Sequence, residues 1–324
     1  MSENDLPLVT IGMTAYNAAD TIEVALKSLL AQTWPHIEVV IVDDASTDAT
    51  FQHLQEFAKT HENMRLFQQE ENKGVAHARY RIVEEAKGEF IAFFDDDDLS
   101  VPDRIYRQYE RITEYEKQFA NGAPVICHTA RTQQYPDGVS RLEPTMGCVV
   151  GEIAPHGPAV ARRILTGKPI PNVFGSAATC SQMGRTKNYK QLGNFDPNFR
   201  RGQDTEFNIR FALAGGHFVG IADPLVVQTM TYGSEKKLKQ EKEYFIKAIE
   251  KHSKFVEEFV SKEFATNWIE TKYVYMEGRK LQFVGELALL FCRYPINVIK
   301  RLSWALPNIK FNDQFSRFHR EGAK

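Results

Sequence analysis

Phe90 to Phe94 form an unbroken apolar run that ends in four aspartates, Asp95 to Asp98. Five consecutive apolar residues followed by a polar break fit a strand buried on both faces. Four adjacent carboxylates repel one another, and such charge is held inside a protein only when it is paired or coordinates a cation. A strand that delivers clustered carboxylates to its C-terminal end places them where open α/β sheets bind ligands. Hard oxygen donors there suit Mg2+ or Mn2+, and such a cation commonly shares its shell with substrate phosphates. The plainer reading is a solvated acidic turn capping the next helix, with Pro102 at its start.

The pattern before this strand decides the fold class. Leu8 to Thr14 reads as a first buried strand, and Asp20 with Glu23 forms a capping-box-like pair. The helix that follows carries Ile22, Ala25, Leu26, Leu29 and Leu30 on one face and stops at Trp34-Pro35. Ile37 to Val42 is a second strand and ends in Asp43-Asp44. A helix runs from Thr47-Asp48 to about His61, Met64 to Phe67 is a short strand, Asn72-Lys73-Gly74 is a turn, and Val75 to Ala86 is helical. Strands alternating with helices predict an α/β fold with a parallel, doubly wound sheet. Asp43-Asp44 and the four-aspartate run then lie on the same edge. No G-x-G-x-x-G follows the first strand, whose turn reads Thr14-Ala15-Tyr16-Asn17-Ala18, and there is no Walker-type loop. Phosphates therefore need another counter-charge, which the acidic run implies is a metal.

Taken together, the pieces Val9 to Asn17, Ile41 to Asp48, Asn72 to Gly74, and Phe94 to Asp98 with Pro102 resemble family 2 glycosyltransferases of the GT-A fold. The resemblance covers about the first two thirds of the chain. It implies an inverting, Mn2+- or Mg2+-dependent transfer of a sugar from a nucleotide diphosphate donor, most simply a UDP-sugar, to a saccharide or lipid-linked acceptor. It implies residues 1–232 as catalytic domain, with 1–100 the nucleotide-binding half and 101–232 the acceptor-binding half. By the same resemblance, Asp44 accepts from the pyrimidine ring, and Thr14, Ala15, Tyr16 and Asn17 form the loop around the base. Arg79 lies near base or diphosphate, Asp95 or Asp96 reaches the ribose, and Asp97 holds the metal. Asp98 reads as the cap of the next helix. For Asp44 the plainer reading is a turn residue, for Tyr16 core filling, and for Arg79 a surface arginine.

Gly193-Asn194-Phe195-Asp196 followed by Gln203-Asp204 and Arg210 resembles the family segment that carries the general base. Gln203 departs from the usual acidic first member, which leaves Asp204 as the base near a helix N-terminus, where a simple N-cap is the alternative. His128 and His156 read as structural rather than metal-binding. Histidine is absent from Val226 to Ser234, where many family members complete the metal shell. Two other classes remain in view. One is a non-catalytic nucleotide-sugar-binding protein on the same fold. The other is a metal-dependent nucleotidyltransferase.

Residues 233–324 read as a helical extension. Leu238, Tyr244, Phe245, Ala248, Ile249, Phe255 and Phe259 recur at helical spacing, and the last stretch interleaves Arg293, Lys300, Arg301, Lys310, Arg317, Arg320 and Lys324 with aromatics. Such a tail suits an anionic membrane surface, with packing on the catalytic domain or on a second subunit as the alternative. The 324 residues carry a net charge of -2, which gives no field for nucleic acid. Four scattered cysteines, Cys127, Cys148, Cys180 and Cys292, read as free thiols in a reducing compartment. The polar N-terminus shows no secretory signal, and no apolar run is long enough to span a bilayer. The expected location is cytoplasmic, peripheral on the inner membrane face; homo-oligomerisation stays open.

Overall fold

The computed structural model describes residues 5–231 and 235–305, with the side chains of 235–237 left out. It divides into two compact units, residues 1–158 with 172–230 and residues 159–171 with 231–324.

The first unit is built on a nine-stranded sheet. Its strands are β1 (Val9–Ala15), β2 (Ile37–Asp43), β3 (Met64–Gln68), β4 (Phe90–Asp95), β5 (Leu99–Ser100), β6 (Val125–Gln134), β7 (Ser140–Glu143), β8 (Met183–Arg185) and β9 (His217–Thr229). The order is β3-β2-β1-β4-β8-β6-β9-β5, with β7 paired to β6. The first four strands are parallel and are linked by α1 (Ile22–Leu30), α2 (Thr50–Thr60) and α3 (Val75–Glu85). β1, β2 and β4 are buried nearly throughout, as continuous apolar runs between two helical layers require. A Cβ on Gly12 would sit 2.3 Å from Cγ2 of Ile82, so glycine lets α3 lie directly on β1.

The second half of the sheet is mixed. β8 runs antiparallel to both β4 and β6, and β6 pairs parallel with β9 across a register shift near Ala130. Three residues of β8 join the two halves, too short a strand to carry a periodicity of its own. The capping box expected at Asp20 and Glu23 does not form; Thr21 is the N-cap of α1 and makes no side-chain cap bond. Asp48 does act at the start of α2, where Oδ1 accepts from the Thr50 N–H at 2.9 Å. α4 (Arg104–Tyr115) continues for one π-helical turn to Ala120, and α6 (Thr186–Gln191) and α7 (Gln203–Leu213) follow β8.

The second unit is helical. α5 (Gly157–Thr166) reaches into it, and α8 (Glu235–Lys251), α9 (Ser253–Glu257), α10 (Lys262–Met276), α11 (Lys280–Arg293) and α12 (Pro295–Ala305) complete it. Ser261 caps α10 by accepting from the Phe264 N–H at 3.2 Å. A small core gathers Phe264, Leu290 and Val298, with Trp268 and Tyr294 against it. The far basic stretch, Lys310 to Lys324, lies outside the described residues.

Candidate active site

Parallel pairing puts the C-terminal ends of β1, β2 and β4 on one edge. Thr14 stands opposite Asp95 in one neighbour and Val42 in the other, and Ala15 stands opposite Asp43. The loop Thr14 to Asn17 is therefore flanked by the two acidic strand ends. Tyr16 is exposed rather than core, and its N–H donates to Asp96 Oδ2 at 2.8 Å. Asn17, at φ 50°, accepts from the Thr47 N–H at 2.8 Å and donates its own N–H to Ser46 Oγ.

Asp44 is buried and occupied. Oδ1 accepts from the Lys73 N–H at 2.9 Å and from Gln69 Nε2 at 2.6 Å, and Oδ2 accepts from the Gly74 N–H at 2.7 Å. Asn72-Lys73-Gly74 is thus folded around the Asp44 carboxylate, leaving Oδ2 one lone pair for a further donor. Burial raises its pKa, against the lowering effect of those backbone donors. Arg200, to which the sequence assigns no part, ties the same turn to the loop before α7 by donating from Nη2 to the Asn72 carbonyl and Oδ1, each at 2.8 Å.

Arg79 is buried, not a surface arginine, and its Nη2 donates to Asp95 Oδ1 at 2.9 Å. Asp96 is pushed up to about 7, chiefly by burial, with Asp97 and Asp95 adding repulsion. Asp98 does not cap α4, whose N-cap is Asp103. Instead Asp98 turns inward: Oδ1 accepts from the Thr229 N–H of β9 at 3.0 Å, while Oδ2 is buried with no hydrogen-bond partner. Burial and the charges of Asp95 and Asp97 push it up to about 8. Asp97 is half-buried, and its backbone carbonyl accepts from Thr229 Oγ1 at 2.6 Å.

Below this run lies Arg104, fully buried. It donates to the Phe93 carbonyl and Ser100 Oγ at 2.8 Å each and to Gln108 Oε1 at 3.0 Å, with its guanidinium 4.3 Å from the Phe94 ring centroid. Burial lowers its pKa to about 10, partly offset by charges that include Asp98 and Asp95. Among the described residues, Arg79 thus pairs with Asp95 and Arg104 lies beneath the run.

Asp95, Asp98 and Cys180 each offer a ligand atom within 4.8 Å of the others. Burial pushes the Cys180 thiol up to about 12, so it stays protonated and suits a hard cation poorly. The carboxylates do fit one: a buried Asp98 oxygen without a hydrogen-bond partner, in a group whose pKa is raised by burial and by the neighbouring Asp95 and Asp97 charges, is what a divalent ion would satisfy. Neither His128 nor His156 joins this cluster. His128 is buried with Nε2 3.0 Å from Gln182 Nε2, and His156 stacks on His217 at 4.4 Å.

Asp204 occupies the first turn of α7 and is half-buried; Oδ1 accepts from the Thr205 N–H at 2.7 Å. α7 is positioned by aromatics: Phe207 lies 5.1 Å from Phe195, which meets Phe93 of β4 edge-on at 5.4 Å. Arg210 pairs with Glu206 and donates to the carbonyls of Leu192 and Asn194, which locks the Gly193 to Phe195 turn to the helix.

The model of glycosyl transferase family 2 matches residues 10–185, more than half of the chain, including the C-terminal ends of β1, β2 and β4. The chain belongs to glycosyl transferase family 2. Among curated relatives of this family member is the putative teichuronic acid biosynthesis glycosyltransferase TuaG of Bacillus subtilis, 35% identical over 154 residues that cover 44% of this chain and 60% of TuaG. Another is the E. coli UDP-Glc:alpha-D-GlcNAc-diphosphoundecaprenol beta-1,3-glucosyltransferase WfaP, 39% identical over 35% of this chain and 44% of that protein. The chain thus spans 60% or less of the length of either relative. The crystal structure of S. aureus TarS 1-349 in complex with UDP-GlcNAc shares the fold, with a TM-score of 0.57 at 19% identity over 98% of this chain and 92% of that one. The mixed sheet with flanking helices and further C-terminal helices is the GT-A architecture.

Proposed function

We propose that this protein transfers a sugar from a UDP-sugar to a hydroxyl of a saccharide or lipid-linked acceptor, with inversion at the anomeric carbon, in building a cell-surface polysaccharide. The observation that carries this reading is the convergence of the Thr14 to Asn17 loop, Asp44 and the Asp95 to Asp98 run on one sheet edge. Relatives whose names specify teichuronic acid biosynthesis and glucosyl transfer to a diphosphoundecaprenol acceptor support the acceptor class, and TarS bound to UDP-GlcNAc supports the donor.

In this reading Asp44 Oδ2 takes the ring N–H of the base, and the backbone of Thr14 to Tyr16 closes around it. Asp95 or Asp96 accepts from the ribose hydroxyls. Asp97, with Asp98 beside it, would hold Mn2+ or Mg2+, although the ligand atoms that lie within 4.8 Å of one another are those of Asp95, Asp98 and Cys180. A bound divalent cation offsets the charge that builds on the departing diphosphate. Asp204 removes the proton of the acceptor hydroxyl as that oxygen bonds to the anomeric carbon and the bond to the diphosphate breaks. Attack opposite the leaving group inverts the configuration, so one base and no covalent intermediate suffice. Among the described residues no helix is long and apolar enough to cross a membrane, and a cytoplasmic site peripheral to the inner face belongs to the same proposal.

The test is transfer from a panel of UDP-, GDP-, CDP- and dTDP-sugars to saccharide and polyprenyl-diphosphate acceptors, with the product's anomeric configuration read by NMR. Inverted product from a UDP-sugar supports the reading. Pyrophosphate release from a nucleoside triphosphate would instead make it a nucleotidyltransferase.

A further inference from the structure

The second unit contains a cavity of about 310 Å³ between α5, α10 and α12. Four of its lining residues are cations, Arg162, Lys168, Lys300 and Arg301, and none is a carboxylate. Among the described residues none of the four forms an ion pair. Such an excess of one sign in a partly desolvated recess is costly unless a ligand of opposite charge compensates it.

The two arginines both lie over aromatic rings. The Arg162 guanidinium lies 3.8 Å from the Phe259 ring centroid, and that of Arg301 lies 4.9 Å from Trp268. An arginine lying over a ring keeps its N–H edge for oxygen acceptors, and that edge matches a phosphate in two-point contact. Arg162 Nε is buried and makes no hydrogen bond. Burial lowers Arg301 to about 10, with no carboxylate to restore it. Gly167, at φ +66°, gives Arg301 its space: a Cβ there would meet Nη1 at 2.2 Å.

What surrounds the cavity indicates what carries the phosphate. On α12, Ile296 and Ile299 are 67% and 56% exposed, and Ile296 stands one turn before Lys300. α11, which packs on α10 and α12 but does not line the cavity, also exposes Leu281 and Leu289, at 92% and 73%. Large apolar side chains standing in water beside a cationic recess match a lipid surface, where the former enter the acyl boundary and the latter meets head groups.

We propose that this cavity binds the phosphate of an anionic lipid and so seats the second unit on a negatively charged membrane. The claim is independent of the donor site, which UDP binding reads separately.

The experiment is flotation of the full chain with phosphatidylcholine vesicles, with and without phosphatidylglycerol. The wild type should float only with the anionic vesicles. Millimolar pyrophosphate or glycerol 1-phosphate should displace it, since both present phosphate oxygens to the same arginines. Arg162→Gln combined with Arg301→Gln should weaken binding about thirtyfold, with thermal melting and UDP affinity unchanged. Lys262→Gln combined with Lys280→Gln, which removes equal charge outside the cavity, should cost clearly less. Equal losses from the two pairs would overturn the cavity, as would vesicle binding that no phosphate displaces, a test needing no variant. Binding of free glycerol 1-phosphate without any binding to anionic vesicles would overturn the lipid and leave a soluble phosphate ester as ligand.

Discussion

β2 ends in Asp43-Asp44 and β4 ends in Asp95 to Asp98, yet the two acidic groups are held in opposite ways. Asp43 accepts from the Ser46 N–H and Oγ and from Gln68 Nε2, and Asp44 from two backbone N–H groups and Gln69. Their charge is spent on folding two turns. In the β4 run, Asp95 has Arg79, Asp96 has one backbone donor, and Asp98 keeps one oxygen buried without any. The residue type is the same and the two strands flank β1 on one sheet edge. What differs is the supply of donors, and that supply decides whether a carboxylate serves as an anchor or stays open for a cation.

Four changes break or sharpen this contrast. Asp204→Asn keeps the shape of the first turn of α7 but removes the proposed base, and should lower kcat by about 10²–10⁴-fold with UDP affinity intact; a matching loss of UDP binding would make Asp204 structural. Arg104→Met removes the buried cation under the β4 run and should cost about 3–5 kcal/mol in urea unfolding. A neutral effect there would mean that the run needs no counter-charge. Asp44→Ala strips the acceptors from the Lys73 and Gly74 N–H groups and should cost about 1–3 kcal/mol in stability, together with a weaker affinity for UDP. Loss of UDP affinity at full stability would show that its contact with the base outweighs its hold on the turn. The smallest effect is on pH. Burial lowers His128 to about 3, below its ordinary value of 6.5, so the unfolded chain binds a proton that the folded one does not. Stability should be full above pH 6.5 and fall as pH drops from there toward 3. His128→Asn should flatten that slope in urea titrations at pH 5 and 7.

The strands that bear the site were readable because each is local. β1, β2 and β4 are apolar runs with a polar break, and parallel order follows from the helices between them. The edge where their ends meet follows from that order alone. Contacts made across long separations were not readable. Asp98 looked like a helix cap because Pro102 follows it, but its partner is Thr229, 131 residues away on β9. Arg79 was expected near the base or diphosphate, but nothing in helical spacing showed that it would meet Asp95 or that Arg104 would reach the Phe93 carbonyl beneath the run. Residues 159–171 belong with the second unit although they interrupt the first, a grouping set by packing rather than by composition. Phe259 was visible as amphipathic spacing, but the placing of Phe259 and Trp268 against Arg162 and Arg301 needed segments far apart in sequence to be brought together.

The central claim is that the end of β4 is a metal-assisted nucleotide site. Its most direct test is calorimetry of UDP, GDP, CDP and dTDP, each with and without Mn2+, on the wild type and on Asp97→Ala and Asp98→Ala. The account predicts UDP binding that requires Mn2+ and is lost in both variants. Equal binding of all four nucleotides without metal, or none at all, would contradict it and leave the four aspartates as a solvated turn.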